Sequence, residues 1–253
     1  MIETIKLYKG KVIVNFEERD WGGKKIHSYT ASKGDKIISV TKVTGRIDKS
    51  NALIIWATRL MAKFLSDNFL GKILTESAIG ESLKKWRDAK EEAADIGTAI
   101  HDWIEAKIKG LEPDIPADDK VKNGVLAFLK WQNENKIKWL ENEKIVYSKK
   151  HHYIGKLDAV AKIGGKIYLI DYKSSKKIYP EFYLQTAAYQ LAYEEEHGKS
   201  IIDGRILLHL GKEDGVFENR EIGEYEKDAT AFIGLLTTAN RLNELEKDNK
   251  YNG

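Results

Sequence analysis

The sequence predicts an α/β (α+β) domain with a central mixed sheet flanked by helices. Helical periodicity fills the stretch from about 51 to 137, and three short strand-like runs follow between 143 and 173. Helix, strands and helix then alternate from Pro180 towards the end. Helices, then a strand meander, then a helical crossover give one sheet with both strand directions. At 253 residues, without an internal repeat or a proline-rich linker, the chain reads as a single domain, 1–253. Within it, 1–142 supplies N-terminal strands and helices, 143–222 the sheet with one helix, and 223–253 a closing helix.

Residues 11–18 (KVIVNFEE) and 36–43 (KIISVTKV) are β-branched runs and predict strands. From Asn51 to about Phe69, Leu53, Trp56, Leu60 and Phe64 recur at three- and four-residue spacing, which predicts an amphipathic helix. A second helix is expected from about Glu81 to Ile108, stopped by Gly110. A third, roughly 118–137, carries Val121, Val125, Phe128, Leu129 and Trp131. After Leu140 the period becomes that of strands, at 143–149, 153–163 and 166–173. Pro180 suits a first helical turn, where its missing N–H costs nothing, and that helix runs to Gly198. Strands at 203–210 and 215–222 and a helix from about Ala229 to Leu245 complete the chain.

Composition narrows the chemistry. There is no cysteine, which excludes disulfides, thiolate zinc sites and iron–sulfur clusters. Any metal must be held by carboxylate, imidazole, carbonyl or water, a donor set that favours Mg²⁺ or Mn²⁺. The net charge of +3 and pI near 8.7 are a weak footprint for nucleic acid. Basic clusters do occur at Lys149-Lys150-His151-His152 and at Lys173, Lys176 and Lys177, although such runs are often plain solvated surface. The opening MIETIKLYKG lacks a signal peptide's apolar run, and Arg59 and Lys63 interrupt the most apolar helix. A cytoplasmic protein with no membrane partner is expected. No G-x-x-x-x-G-K-[ST] loop is present, so no nucleotide cofactor is expected.

Gly164-Gly165 lies between two strand-like runs and predicts a two-residue hairpin turn. Ile163 then faces Lys166, and the opposed pairs step outward to Asp158 with Asp171 and Lys156 with Lys173. Asp158, Asp171 and Lys173 share a face. Directly opposed positions place Cβ atoms about 4.5–5.5 Å apart, so two carboxylates there repel unless a cation lies between them. A longer loop or slipped register would leave two unrelated surface acids. Lys173, on the same face, offers a bound phosphodiester a second positive partner.

With those residues, the stretch resembles the PD-(D/E)XK nuclease superfamily, in its RecB-like exonuclease branch. The matching pieces stand in the family's order: GTAIH (Gly97 to His101), Glu143 ahead of a strand, GKLD (Gly155 to Asp158), DYK (Asp171 to Lys173) and QTAAY (Gln185 to Tyr189). The pattern of Ser39 to Val43, Asp48-Lys49, Leu53 and Trp56 is similar to phage-type and mitochondrial-genome-maintenance-type single-strand exonucleases. Each piece is weak alone; their order carries the resemblance.

The resemblance implies a restriction-endonuclease-like core and a DNA exonuclease of replication, recombination or repair, possible in a phage, acting from single-stranded ends. It assigns His101, Asp158, Asp171 and the backbone carbonyl of Tyr172 as ligands of one or two Mg²⁺ or Mn²⁺ ions, with Glu143 acting through water. Lys173, Gln185 and Tyr189 are implied in catalysis, and 5′-phosphate products are expected. Many relatives carry a small polar residue where this chain has Lys156, which adds a cation near the phosphate. Ser39, Thr41, Lys42, Lys156, Lys176 and Lys177 are candidate phosphate contacts, and Trp56 a candidate base-stacking surface. Read without the resemblance, His101 and Glu105 are an i, i+4 helix pair, Gln185 and Tyr189 a helix face with core packing, and Trp56 part of an apolar stripe. A restriction or junction-resolving endonuclease, and a non-catalytic DNA-binding module on the same fold, are the alternatives.

Overall fold

The computed structural model describes residues 2–21, 24–32, 34–198 and 200–251. Three strands open the chain, β1 (Ile2–Leu7), β2 (Val12–Trp21) and β3 (Lys24–Ala31), joined antiparallel in sequence order. Only β2 coincides with a predicted strand. β4 (Lys36–Ser39) adds to β3, and the chain then turns into α1 (Val40–Thr44). The strand expected over 36–43 therefore ends halfway. The Ser39 side chain accepts from the Lys42 N–H and caps the helix, a local bond that outweighs the β-branched composition.

Four helices follow: α2 (Ser50–Phe69), α3 (Glu76–Ser82), α4 (Lys85–Ile108) and α5 (Asp119–Glu134). The helix expected from about Glu81 to Ile108 is α4, which starts at Lys85, and α3 is a separate short helix ahead of it. Thr75 caps α3 through the Ala78 N–H, and α4 starts afresh at Lys85. Asp118 caps α5 by accepting from the N–H groups of Lys120 and Val121. α2 has the predicted helix but not the predicted core stripe. None of its residues is buried and Leu53 is 53% exposed, because α2 leans on α3 and α4 rather than on the sheet.

The remaining elements are β5 (Ile137–Ser148), β6 (Tyr153–Ile163), β7 (Lys166–Lys173), α6 (Pro180–His197), β8 (Gly204–Leu210), β9 (Phe217–Ile222) and α7 (Tyr225–Tyr251). β5 begins well before the predicted strand at 143 and carries an irregularity between Trp139 and Glu141. α7 extends beyond the predicted helix at both ends. The described strands form one mixed sheet in the order β1-β2-β3-β4-β6-β7-β8-β9, with β5 also on β6. β4 runs parallel to β6, and β7, crossing over through α6, runs parallel to β8.

Helices cover both faces. On one, Ile100 of α4 and Phe128 and Trp131 of α5 pack on Ala159, Ala161, Ile170 and Leu208. A Cβ at Gly124 would stand 2.4 Å from Ile100 Cδ1, so this glycine allows α4 and α5 to approach closely. On the other face, Ala188 of α6 and Phe232 of α7 pack on Tyr153, Leu157, Val160 and Leu169. Each large side chain so buried contributes roughly 1.5–3 kcal/mol. The architecture is an α/β fold with a central mixed sheet flanked by helices. Among the described residues no helix is long and apolar enough to cross a membrane.

Candidate metal centre

A strand has two hydrogen-bonding edges, and β6 divides one of them between two partners. β5 pairs along one edge from Tyr153 to Ile163. On the other, β4 meets Tyr153 and Ile154, and β7 meets Ala159 to Ile163. Gly155 to Asp158, the GKLD stretch, lie in the gap between those partners. The gap opens because β6 and β7 part. Their turn is the predicted one, with Gly164 and Gly165 at φ of 57° and 91°, and Ile163 pairs with Lys166. The ladder runs only to Ala159 with Ile170, one step short of the two aspartates. There the Tyr172 N–H donates to Asp158 Oδ2 at 2.7 Å instead. The expected opposition of Lys156 and Lys173 does not occur, because the strands have already separated; Lys156 forms an ion pair with Glu143 on β5.

Packing shows the same break. Ala159 and Ala161 face α4 and α5, whereas Leu157 and Val160 both face α6 and α7. Simple alternation along β6 is lost at Asp158, and with it the premise that face can be counted from sequence.

Three elements converge on the gap. Pairs Asn142 with Ala159 and Lys144 with Leu157 set Glu143 against Asp158. Glu143 has φ of 52°, a left-handed conformation costly for a residue with a Cβ. His101 arrives from α4 with Nδ1 3.7 Å from Asp158 Oδ1. Ligand atoms of His101, Glu143 and Asp158 all lie within 4.8 Å of one another. Glu143, expected to act through water, thus has an oxygen within this group. Asp171 is not in that tight group. It is fully buried and ion-paired with Lys173, whose Nζ lies 2.5 Å from Oδ2. Lys173 Nζ also lies 4.7 Å from the centre of the Phe182 ring.

Electrostatics follow burial. Burial raises the carboxyl pKa values of Asp158 and Glu143, with Asp158 adding to the rise at Glu143. Asp171 is pushed up to about 6, by burial first and by Asp158 further, against the pull of Lys173. Burial, then Lys173, lowers the His101 pKa, which leaves a neutral imidazole free to ligate. Imidazole and carboxylates in close array, with a further buried carboxylate beside them, fit an oxygen-preferring divalent cation such as Mg²⁺ or Mn²⁺.

The folded chain keeps the Asp171 proton up to about pH 6, whereas an unfolded aspartate loses it near 4. Between these values the folded state binds more protons, so this group's contribution to stability falls as pH rises through the window and is level above it. Melting of metal-free protein should therefore show Asp171→Asn gaining on the unaltered chain as pH rises, by on the order of 1–3 kcal/mol above the window. Melting midpoints that move together would contradict this.

Gln185 and Tyr189 lie on α6, and Gln185 Nε2 donates to Tyr189 Oη at 2.9 Å. The Tyr189 ring packs on the sheet at one end of the gap: a Cβ at Gly155 would stand 2.4 Å from its Cε1, which explains the glycine of GKLD. Tyr189 is thus both a core side chain and a wall of the site. Ser39, Thr41, Lys42 and Lys156 share with it a cleft of about 490 Å³ that opens beside the gap. Trp56 is half-buried on α2 and does not line that cleft. Lys176 and Lys177 are exposed after β7, with Lys177 Nζ 5.4 Å from the Tyr179 ring centre. His27 and Tyr29 of β3 also line the cleft. Sequence reading missed both, although their alternation in IHSYTA is a strand signal.

The chain matches no protein-family profile and no curated protein. Among solved structures, one titled "Crystal structure of SSO0001" is similar over 81% of this chain and 75% of that one, at 17% identity and a TM-score of 0.37.

Proposed function

We propose that the chain is a Mg²⁺- or Mn²⁺-dependent DNA exonuclease that hydrolyses phosphodiester bonds at single-stranded ends. The observation that carries this reading is the convergence of His101, Glu143 and Asp158 in the gap of the sheet, beside the buried pair of Asp171 and Lys173. His101, Glu143, Asp158, Asp171 and the Tyr172 carbonyl would hold the ion. An ion held there would polarise a phosphoryl oxygen and lower the pKa of a water.

The chain's own groups do the rest. Lys173, fixed between Asp171 and the Phe182 ring, offsets negative charge that grows at the phosphate oxygens. Gln185 and Tyr189 hold each other and brace the GKLD backbone, so the acids stay in place as the substrate enters. Lys42 and Lys156 extend positive charge along the cleft towards the substrate backbone.

The test is timed digestion of labelled single-stranded, double-stranded and closed circular DNA with Mn²⁺ or Mg²⁺. The expected result is shortening of linear single strands, no attack on the circle, and no activity in EDTA or in Asp171→Ala. Cleavage of the circle would assign an endonuclease instead, and undiminished activity in Asp171→Ala would remove the site.

A further inference from the structure

The cleft has an aromatic wall that the chemistry above does not use. His27 and Tyr29 are two residues apart on β3 and project from one face. Phe16 of β2 stands opposite Tyr29 in the ladder, with its ring centre 5.2 Å from each of the other two rings. Tyr29 also packs on the small core of Leu7, Val14, Tyr147 and Ile154, so its ring is held in place while remaining half-exposed. His27 Nε2 lies 3.0 Å from Glu18 Oε2.

Lys42 and Lys156 line the same cleft. Tyr29 and Lys156 line this cleft together, so its aromatic wall and the residue paired with Glu143 face the same space. The volume of about 490 Å³ falls in the range of ligand pockets. Braced rings beside a pair of ammonium groups suit unpaired bases and a phosphate backbone together. A duplex keeps its base faces stacked inside and offers such rings nothing.

We propose that this cleft is the channel for a single DNA strand, in which Tyr29 and His27 form the platform for the base beside the phosphate to be cut. Lys42 and Lys156 take its phosphates. The nature of the ligand rests on the nuclease reading; the platform rests on the geometry of β3.

The experiment is fluorescence anisotropy with a short labelled oligothymidine in Ca²⁺, against an abasic strand and a blunt duplex of equal length. The unaltered protein should prefer the oligothymidine to both. Tyr29→Ala should bind the oligothymidine about tenfold more weakly, the scale of one lost base stack, and Tyr29→Phe should retain affinity. The abasic strand should bind the unaltered and Tyr29→Ala proteins alike. Unchanged affinity in Tyr29→Ala, or equal losses for single strand and duplex, overturns the proposal. Should Tyr29→Ala not fold, the unaltered protein still decides: failure to discriminate against the abasic strand overturns it. Failure of the nuclease reading is read separately, as absence of Mn²⁺-dependent cleavage by the unaltered protein.

Discussion

Asp158→Asn is expected to lower Mn²⁺-dependent cleavage of single-stranded DNA by about 10³-fold, the scale of several kcal/mol of charge stabilisation supplied through a metal. Asp158 is the hub of the site. It accepts the Tyr172 N–H, stands 3.7 Å from His101 Nδ1 and is set against Glu143 by the strand register. Asparagine retains an oxygen for the Tyr172 N–H and so preserves the join between β6 and β7, but it removes the charge. Loss of cleavage with a melting midpoint near that of the unaltered chain would therefore report on the ion, not the fold. Cleavage at an undiminished rate would count against a shared ion here.

Lys173→Met is expected to cost about 10²–10³-fold in the rate of the chemical step, as removal of one preorganised electrostatic partner does elsewhere. The side chain is 14% exposed, paired with Asp171 and set over the Phe182 ring, so a linear apolar replacement keeps the packing, removes the ammonium and lets the Asp171 carboxyl pKa rise further. Binding of oligothymidine should change little, because Lys42 and Lys156 still line the cleft. The split between rate and binding is the discriminating readout. A loss confined to affinity would make Lys173 a binding residue.

Sequence patterns carried local features well and the site's junctions poorly. The Gly164-Gly165 turn, the strands on either side and Pro180 at the head of α6 were legible because each depends on a few adjacent residues with restricted backbones. Counting register outward from that turn was sound as far as Ala159 with Ile170. It failed at the next step because β4 and β7 share one edge of β6, and a shared edge is a property of strands far apart in the chain. The same gap explains why Lys156 meets Glu143 rather than facing Lys173. Glu143 looked peripheral because its place beside Asp158 comes with a left-handed backbone inside a strand, which glutamate does not signal. The stripe on α2 misled differently: spacing tells which residues share a helix face, but not whether anything covers them.

The central claim is that His101, Glu143, Asp158 and Asp171 together hold a divalent cation. Calorimetric titration of the DNA-free protein with Mn²⁺ tests it most directly, with Asp158→Asn titrated alongside. Saturable binding in the unaltered chain that disappears in Asp158→Asn is the predicted result. No binding heat in the unaltered chain, or the same isotherm in both proteins, would contradict it.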